Sequence, residues 1–170
     1  MKNIYLIGYM GSGKSTIGKK LAKKLDTDFI DLDKYIEEKE NISISEIFKL
    51  KGETEFRKIE EKSLLEISKL ENKIVSLGGG TPCFFNNMEI INNSGLSIYL
   101  KMPIGMLVSR LINAKVQRPL IKDKNREELH TFIENQLKER EQFYSMSSII
   151  FDAISVNIDK LIHQLFLTTF

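Results

Sequence analysis

Hydrophobic positions follow two periods along this chain, and the switches between them mark its elements. Short apolar runs at 3–8, 29–33, 73–77, 96–100 and 148–153 read as buried strands. Between them the spacing turns helical. Over 14–25, Ile17, Leu21 and Leu25 share one face, while Lys19, Lys20, Lys23 and Lys24 populate the other. Residues 34–71 are helix-prone almost throughout, with interruptions at 41–45 and at Gly52, and predict helices over 34–40, 45–51 and 54–70. Ser43 stands three positions before Glu46, the spacing of a capping box. Further helices are predicted over 86–94, from Pro103 onward with Ile104, Leu107, Val108 and Leu111 as the apolar stripe, over 126–144, and from Ile158 onward. Strands alternating with helices predict an α/β fold with a parallel sheet covered on both faces. Three helices between the second and third strands exceed a simple crossover and read as an inserted substrate-binding subdomain.

Composition narrows this picture. The chain of 170 residues predicts one domain. Its 42% hydrophobic and 28% charged content is that of an ordinary globular protein. A net charge of +2, with lysines spread along the chain, gives no reason to expect nucleic acid as a partner. Cys83 is the single cysteine, which excludes an internal disulfide. No apolar run approaches the roughly 20 residues of a membrane span. The first strand begins at once, so no signal peptide and no membrane partner are expected, and the cytoplasm is the expected compartment.

The candidate chemistry begins at the end of the first strand. Gly8-Tyr9-Met10-Gly11-Ser12-Gly13-Lys14-Ser15 is a Gly-x-x-x-x-Gly-Lys-Ser sequence between a strand and a helix, the context in which it forms a phosphate-binding P-loop. Glycines allow close backbone approach, and free amides at the helix start point at the anion. Lys14 supplies a point charge and the Ser15 hydroxyl a magnesium ligand. Asp31 and Asp33, two apart in an expected strand, are predicted to leave one face at its C-terminal end, where open α/β sheets bind ligands. A helix cap at Asp33 is the other reading. Arg57 lies three and four residues before Glu60 and Glu61. That spacing fits surface ion pairs, or an arginine held by glutamate and aimed at an anionic substrate. Gly78-Gly79-Gly80 after a strand suits a backbone that passes close to a ligand, or else a mobile loop. Residues 113–125 form a long basic loop around Pro119, and Arg118 within it could face a phosphoryl group or simply be solvated. Arg140 continues the buried stripe of Leu129, Phe132, Ile133 and Leu137, so it must be paired internally or face a cleft. Cys83 reads as packing rather than as a nucleophile.

This set, in this order and over nearly the whole chain, resembles the shikimate kinases. The resemblance rests on Gly8 to Ser15, Phe29-Ile30-Asp31-Leu32-Asp33, Gly52-Glu53 with Phe56-Arg57 and Glu60, Gly78-Gly79-Gly80-Thr81-Pro82, Arg118-Pro119-Leu120, and Arg140 with Tyr144. It implies a three-layer αβα P-loop kinase fold with a five-stranded parallel sheet, a helical substrate-binding subdomain at about 33–62 and a mobile lid at about 112–125. It further implies transfer of the γ-phosphate of ATP to the 3-hydroxyl of shikimate, with ATP as co-substrate, one Mg²⁺ per monomer, and a monomeric enzyme. Residue by residue, it places ATP at Gly11, Ser12, Gly13, Lys14, Ser15, Thr16, Arg110 and Arg118. It places Mg²⁺ at Ser15 and, through water, at Asp31. It places shikimate at Asp33, Arg57, Gly79, Gly80 and Arg140. Asp33 would be the base, with Lys14 and Arg118 on the transferring group. The chain departs from the family in one place. An Arg-x-Pro element often follows the last strand there, whereas residues 152–157 here read Asp-Ala-Ile-Ser-Val-Asn. A gluconate-kinase-like enzyme and a non-catalytic nucleotide-binding regulator of the same fold are the alternatives.

Overall fold

The computed structural model describes residues 2–114, 121 and 123–169. Strand β1 (Asn3–Ile7) is buried at every position and sits at the centre of the sheet. It is followed by α1 (Lys14–Leu25), β2 (Asp28–Asp31), α2 (Leu32–Glu40), α3 (Ile44–Ile67) and β3 (Lys73–Ser76). A 3₁₀ turn (Thr81–Cys83) leads into α4 (Asn87–Ser94), β4 (Gly95–Lys101), α5 (Ile104–Ile112), α6 (Arg126–Tyr144), β5 (Ile149–Asp152) and α7 (Ile158–Thr169). The five strands form one sheet in the order β2-β3-β1-β4-β5, with every pairing parallel. The predicted αβα architecture is therefore the observed one.

Alternation along β1 divides the core. Ile4 and Leu6 point into a cluster with Ile17, Leu21, Leu107, Val108 and Leu161, while Tyr5 and Ile7 point into another with Ile36, Phe56, Leu64 and Ile91. Helix α6 spans both. Leu129 and Ile133 belong to the first cluster, Tyr144 to the second, and Leu137 packs against each. Its C-terminal half thus runs past the boundary between the two layers.

Two local structures decide where the functional side chains stand. Gly52 (φ 78°, ψ 171°) breaks α3 into limbs over 44–51 and 53–67, as the sequence predicts. The Ser43–Glu46 capping box also forms: the Ser43 hydroxyl accepts from the Glu46 amide at 3.2 Å, and the Glu46 carboxylate accepts from the Ser43 amide at 2.9 Å. The second strand ends earlier than its apolar run suggests. Leu32 and Ile36, four apart and both fully buried, start α2 immediately after Asp31. Asp33 therefore lies in the first turn of a helix, not on a strand. Burial of a Leu-Ile helical stripe has overridden the extended reading.

Candidate active site

The loop between β1 and α1 has the backbone that its glycines permit. Gly8, Gly11 and Gly13 have φ of 145°, 85° and 95°. Gly13 is the N-cap of α1 and no side chain caps the helix, so its first amides remain available to an anion. Lys14 begins that helix and turns back over the loop, where its Nζ donates to the Gly8 carbonyl at 2.7 Å and the Tyr9 carbonyl at 3.1 Å. Ser15 donates to Asp31 Oδ2 at 2.8 Å. Arg110, exposed on α5, donates from Nη1 to the Gly11 carbonyl at 3.2 Å. Arg110 is thus solvent-facing and still reaches the loop.

Asp31 and Asp33 meet despite arising from different elements. A cleft of about 340 Å³ is lined by both, together with Lys14, Ser15, Gly78, Gly79 and Arg110. Asp33 Oδ1 lies 3.0 Å from where a Cβ on Gly78 would stand. The cleft therefore joins the P-loop to the glycine run, at the C-terminal edge of β1, β2 and β3.

Arg57 forms a buried ion pair with Glu60 and a more exposed one with Glu53. Its side chain is 12% exposed and that of Glu60 is 1% exposed. Nη1 donates to Glu60 Oε2 at 2.7 Å, and Nη2 donates to Glu53 Oε1 at 3.1 Å. The other Glu60 oxygen accepts from the Thr81 hydroxyl at 2.6 Å. The guanidinium carbon sits 4.0 Å from the centroid of the Phe84 ring, and a Cβ on Gly80 would come within 2.8 Å of Nη2. The arginine is fixed by charge, by an aromatic face and by the absence of a side chain at position 80. Glu61, equally spaced from Arg57 in sequence, makes no bond to it.

Arg140 stands on the C-terminal half of α6, beside Gly79. Among the described residues no carboxylate forms a salt bridge with it. Its guanidinium lies 5.5 Å from the centroid of the Tyr9 ring, and Tyr9 in turn donates to Gln136 Oε1 at 2.7 Å. Nη1 lies 3.5 Å from a Cβ position on Gly79. Adjacent glycines thus carry two guanidinium groups beside them. Cys83 senses both: burial pushes its thiol up to about 11, and Arg140 and Arg57 act against that rise. A thiol so raised is neutral at pH 7, which suits packing rather than nucleophilic attack.

Neither Gly79 nor Gly80 donates its amide to an acceptor among the described residues, whereas the neighbouring Thr81 and Cys83 amides donate to Gly78 and Gly80 carbonyls at 3.1 and 2.8 Å. Two amides without an acceptor among the described residues thus stand beside two guanidinium groups, a set of donors suited to an anion or a hydroxyl; of these residues only Gly79 lines the 340 Å³ cleft. Sequence reasoning missed Phe84, Tyr9 and Thr81 as supports, and no local signal distinguishes them. Arg118 lies outside the described residues. Thr16 is exposed on the first turn of α1, and Ser12 is buried within the loop.

Comparisons with known proteins place the chain's sequence and fold beside one family. The family model for shikimate kinase matches residues 10–168. A shikimate kinase of Azobacteroides pseudotrichonymphae is 51% identical over 166 residues, covering 97% of this chain and 98% of the relative. The crystal structure of a shikimate kinase from Bacteroides thetaiotaomicron superposes with a TM-score of 0.91 at 40% identity, over 99% of this chain and 98% of that one. A shikimate kinase from Acinetobacter baumannii in complex with shikimate gives a TM-score of 0.87 at 31% identity, over 99% of this chain and 94% of that one.

Proposed function

The chain belongs to the shikimate kinase family, and from that premise we propose that the cleft transfers the γ-phosphoryl group of ATP to the 3-hydroxyl of shikimate, giving shikimate 3-phosphate and ADP. The observation that carries this reading is Arg140. It is a guanidinium on a largely buried helix stripe, among the described residues it has no carboxylate partner, and it sits beside an adjacent glycine pair that also faces Arg57. A substrate carboxylate supplies the missing charge.

Roles follow from position. Lys14 leaves the Gly8 and Tyr9 carbonyls for the phosphates, and the α1 amides cradle them with Gly11, Ser12, Gly13 and Thr16. Arg110 covers the nucleotide side of the loop. Arg57 and Arg140 hold the acceptor carboxylate, and the Gly79 and Gly80 backbone approaches its ring. Asp33, at the junction of the two halves, accepts the proton of the attacking hydroxyl. Phosphoryl transfer needs alignment and charge neutralisation more than covalent chemistry, and this division of labour provides both. Residues 33–62 act as the acceptor-binding subdomain. Residues 112–125 act as a lid that excludes water, bringing Arg118 to the transferring group.

The donor set also fits magnesium. A hydroxyl and a carboxylate 2.8 Å apart, Ser15 and Asp31, are hard oxygen ligands. Among the described residues no three acidic, histidine or cysteine side chains group to cage a metal, which suits an ion that keeps waters and takes phosphate oxygens. Bound there, Mg²⁺ supplies charge neutralisation on the phosphates. The chain acts as a monomer in the cytoplasm on this reading, and none of the described helices is long and apolar enough to cross a membrane.

The test is ADP release from ATP with shikimate, gluconate or nucleoside monophosphates as acceptor. The proposal expects release with shikimate alone. Release with gluconate in its place would favour the related small-metabolite kinase, and nucleotide binding without turnover on any acceptor would favour a regulator.

A further inference from the structure

Helix α6 carries a second residue one turn beyond Arg140, on the same face. Tyr144 is fully buried, and its hydroxyl donates to the Gly79 carbonyl at 2.5 Å. The carbonyls on either side are held differently. Gly78 and Gly80 each accept from a backbone amide of the following turn. Gly79 alone among the three is held by a side chain. With no Cβ at 78, 79 or 80, the peptide between Gly79 and Gly80 has few steric barriers to reorientation. No cis peptide occurs, so fixing the Gly79 C=O fixes the Gly80 N–H in the opposite direction. That N–H has no acceptor among the described residues.

We propose that Tyr144 is a positioning residue for the acceptor substrate. It locks the Gly79–Gly80 peptide so that the Gly80 amide is turned away from α6 and held ready for a polar oxygen of the hydroxylated acid. This rests on the function proposed above and adds a residue that acts through the backbone without touching substrate. Tyr144 is itself held from behind. Its ring packs on Tyr99 at 5.1 Å between centroids, and the Tyr99 hydroxyl donates to Glu141 Oε2 at 2.7 Å. Burial raises the Tyr144 phenol above its ordinary range, against the lowering effect of Arg140, so it stays a protonated donor at neutral pH. One helix face thus presents a charge for the acid and a hydroxyl that aims a backbone amide at it.

Two paired variants test this. Tyr144→Phe removes only the hydroxyl. Tyr99→Phe removes the other buried tyrosine hydroxyl of the same ring pair, one that does not touch Gly79. Tyr144→Phe is expected to raise the KM for shikimate about tenfold, the effect of losing one buried hydrogen bond, with the KM for ATP within about twofold. Tyr99→Phe is expected to leave both KM values within about twofold while lowering thermal stability to a similar degree. Should Tyr144→Phe leave the shikimate KM unchanged, raise both KM values alike, or be matched by Tyr99→Phe, the positioning role is overturned.

A measurement on the wild-type chain covers the case in which Tyr144→Phe does not fold. The ten glycines include one consecutive run, 78–80. In protein labelled with ¹³C-carbonyl, ¹⁵N glycine, only the Gly79 and Gly80 amides follow a labelled carbonyl. Adding shikimate should shift the Gly80 amide, and an unmoved Gly80 resonance at saturation would refute the proposal. Wild-type chain that binds but does not phosphorylate shikimate would instead refute the function, while leaving the kinetic comparison void and the spectral one decisive.

Discussion

The two halves of the site both depend on glycine, and Gly13 and Gly80 show two different reasons. In the donor loop, Gly8, Gly11 and Gly13 take left-handed φ values, and a Cβ at Gly13 would meet only ordinary contacts, Ile17 at 3.4 Å and Arg110 at 3.5 Å. That half needs a backbone path at Gly13, and at Gly8 room as well, since a Cβ there would stand 2.9 Å from the Leu100 carbonyl oxygen. On the acceptor wall, Gly80 has an unremarkable φ of −89°, yet a Cβ there would strike Arg57 at 2.8 Å. That half needs room for side chains arriving from elsewhere. The difference teaches how each half is encoded. A backbone path is written in consecutive residues, whereas a space is written in residues that meet only after folding.

The largest expected effect lies where the halves meet. Asp33→Asn should lower kcat by about 10²–10⁴, the usual contribution of a general base, with ATP affinity retained. A coupled ADP assay beside an ATP titration checks it, and turnover near wild type would remove Asp33 as the base. Next comes a mirrored pair. Gly80→Ala should displace the Arg57 guanidinium and raise the shikimate KM by about tenfold, roughly the loss of one charged hydrogen bond, with the ATP KM unchanged. Gly13→Ala should do the reverse: strain of about 1–2 kcal/mol in the loop, weaker ATP binding, and unaltered shikimate binding. Steady-state kinetics with each substrate varied would show whether the effects separate. If both variants impair both substrates equally, the halves are one unit and the comparison fails.

How much of this was readable beforehand follows the same division. The P-loop, the break at Gly52 and the Ser43–Glu46 cap were legible because each is set by residues within one loop or turn, and the parallel sheet because strands alternate with helices along the chain. Asp33 was legible as a site residue but misplaced on a strand, since the burial of Leu32 and Ile36 that starts α2 is a tertiary fact. Arg57 could be read only as one of two things, because its spacing to Glu60 is the same in a surface pair and in a buried clamp. What decides between them is Thr81, Phe84 and Gly80, more than 20 residues away. Arg140 was readable as a charge on an apolar stripe, but its lack of a carboxylate partner among the described residues was not.

The smallest expected effect concerns what stands behind the acceptor wall. Burial raises the pKa of Cys83, Tyr99 and Tyr144, and Glu141 adds to the rise at Tyr99. The folded chain therefore keeps protons that the unfolded chain loses, so stability is complete below about pH 9 and falls as pH rises. For Cys83 the window runs from its unfolded value of 9.0 to about 11, and the tyrosines begin to contribute above their unfolded value of 10.0. Thermal unfolding followed from pH 7 to 11 should be flat and then decline, and Cys83→Ala should flatten the first part of the decline. A decline of the same shape in that variant would show that the thiol contributes nothing.

The most direct test of the central claim, that a separately built acceptor half selects a carboxylate, is calorimetry on Arg140→Ala with shikimate and with ATP in separate titrations. The account predicts a loss of about 1.5–3 kcal/mol in shikimate binding, the range for hydrogen bonds to charged groups, with ATP binding essentially that of the wild type. Equal weakening of both ligands would contradict it.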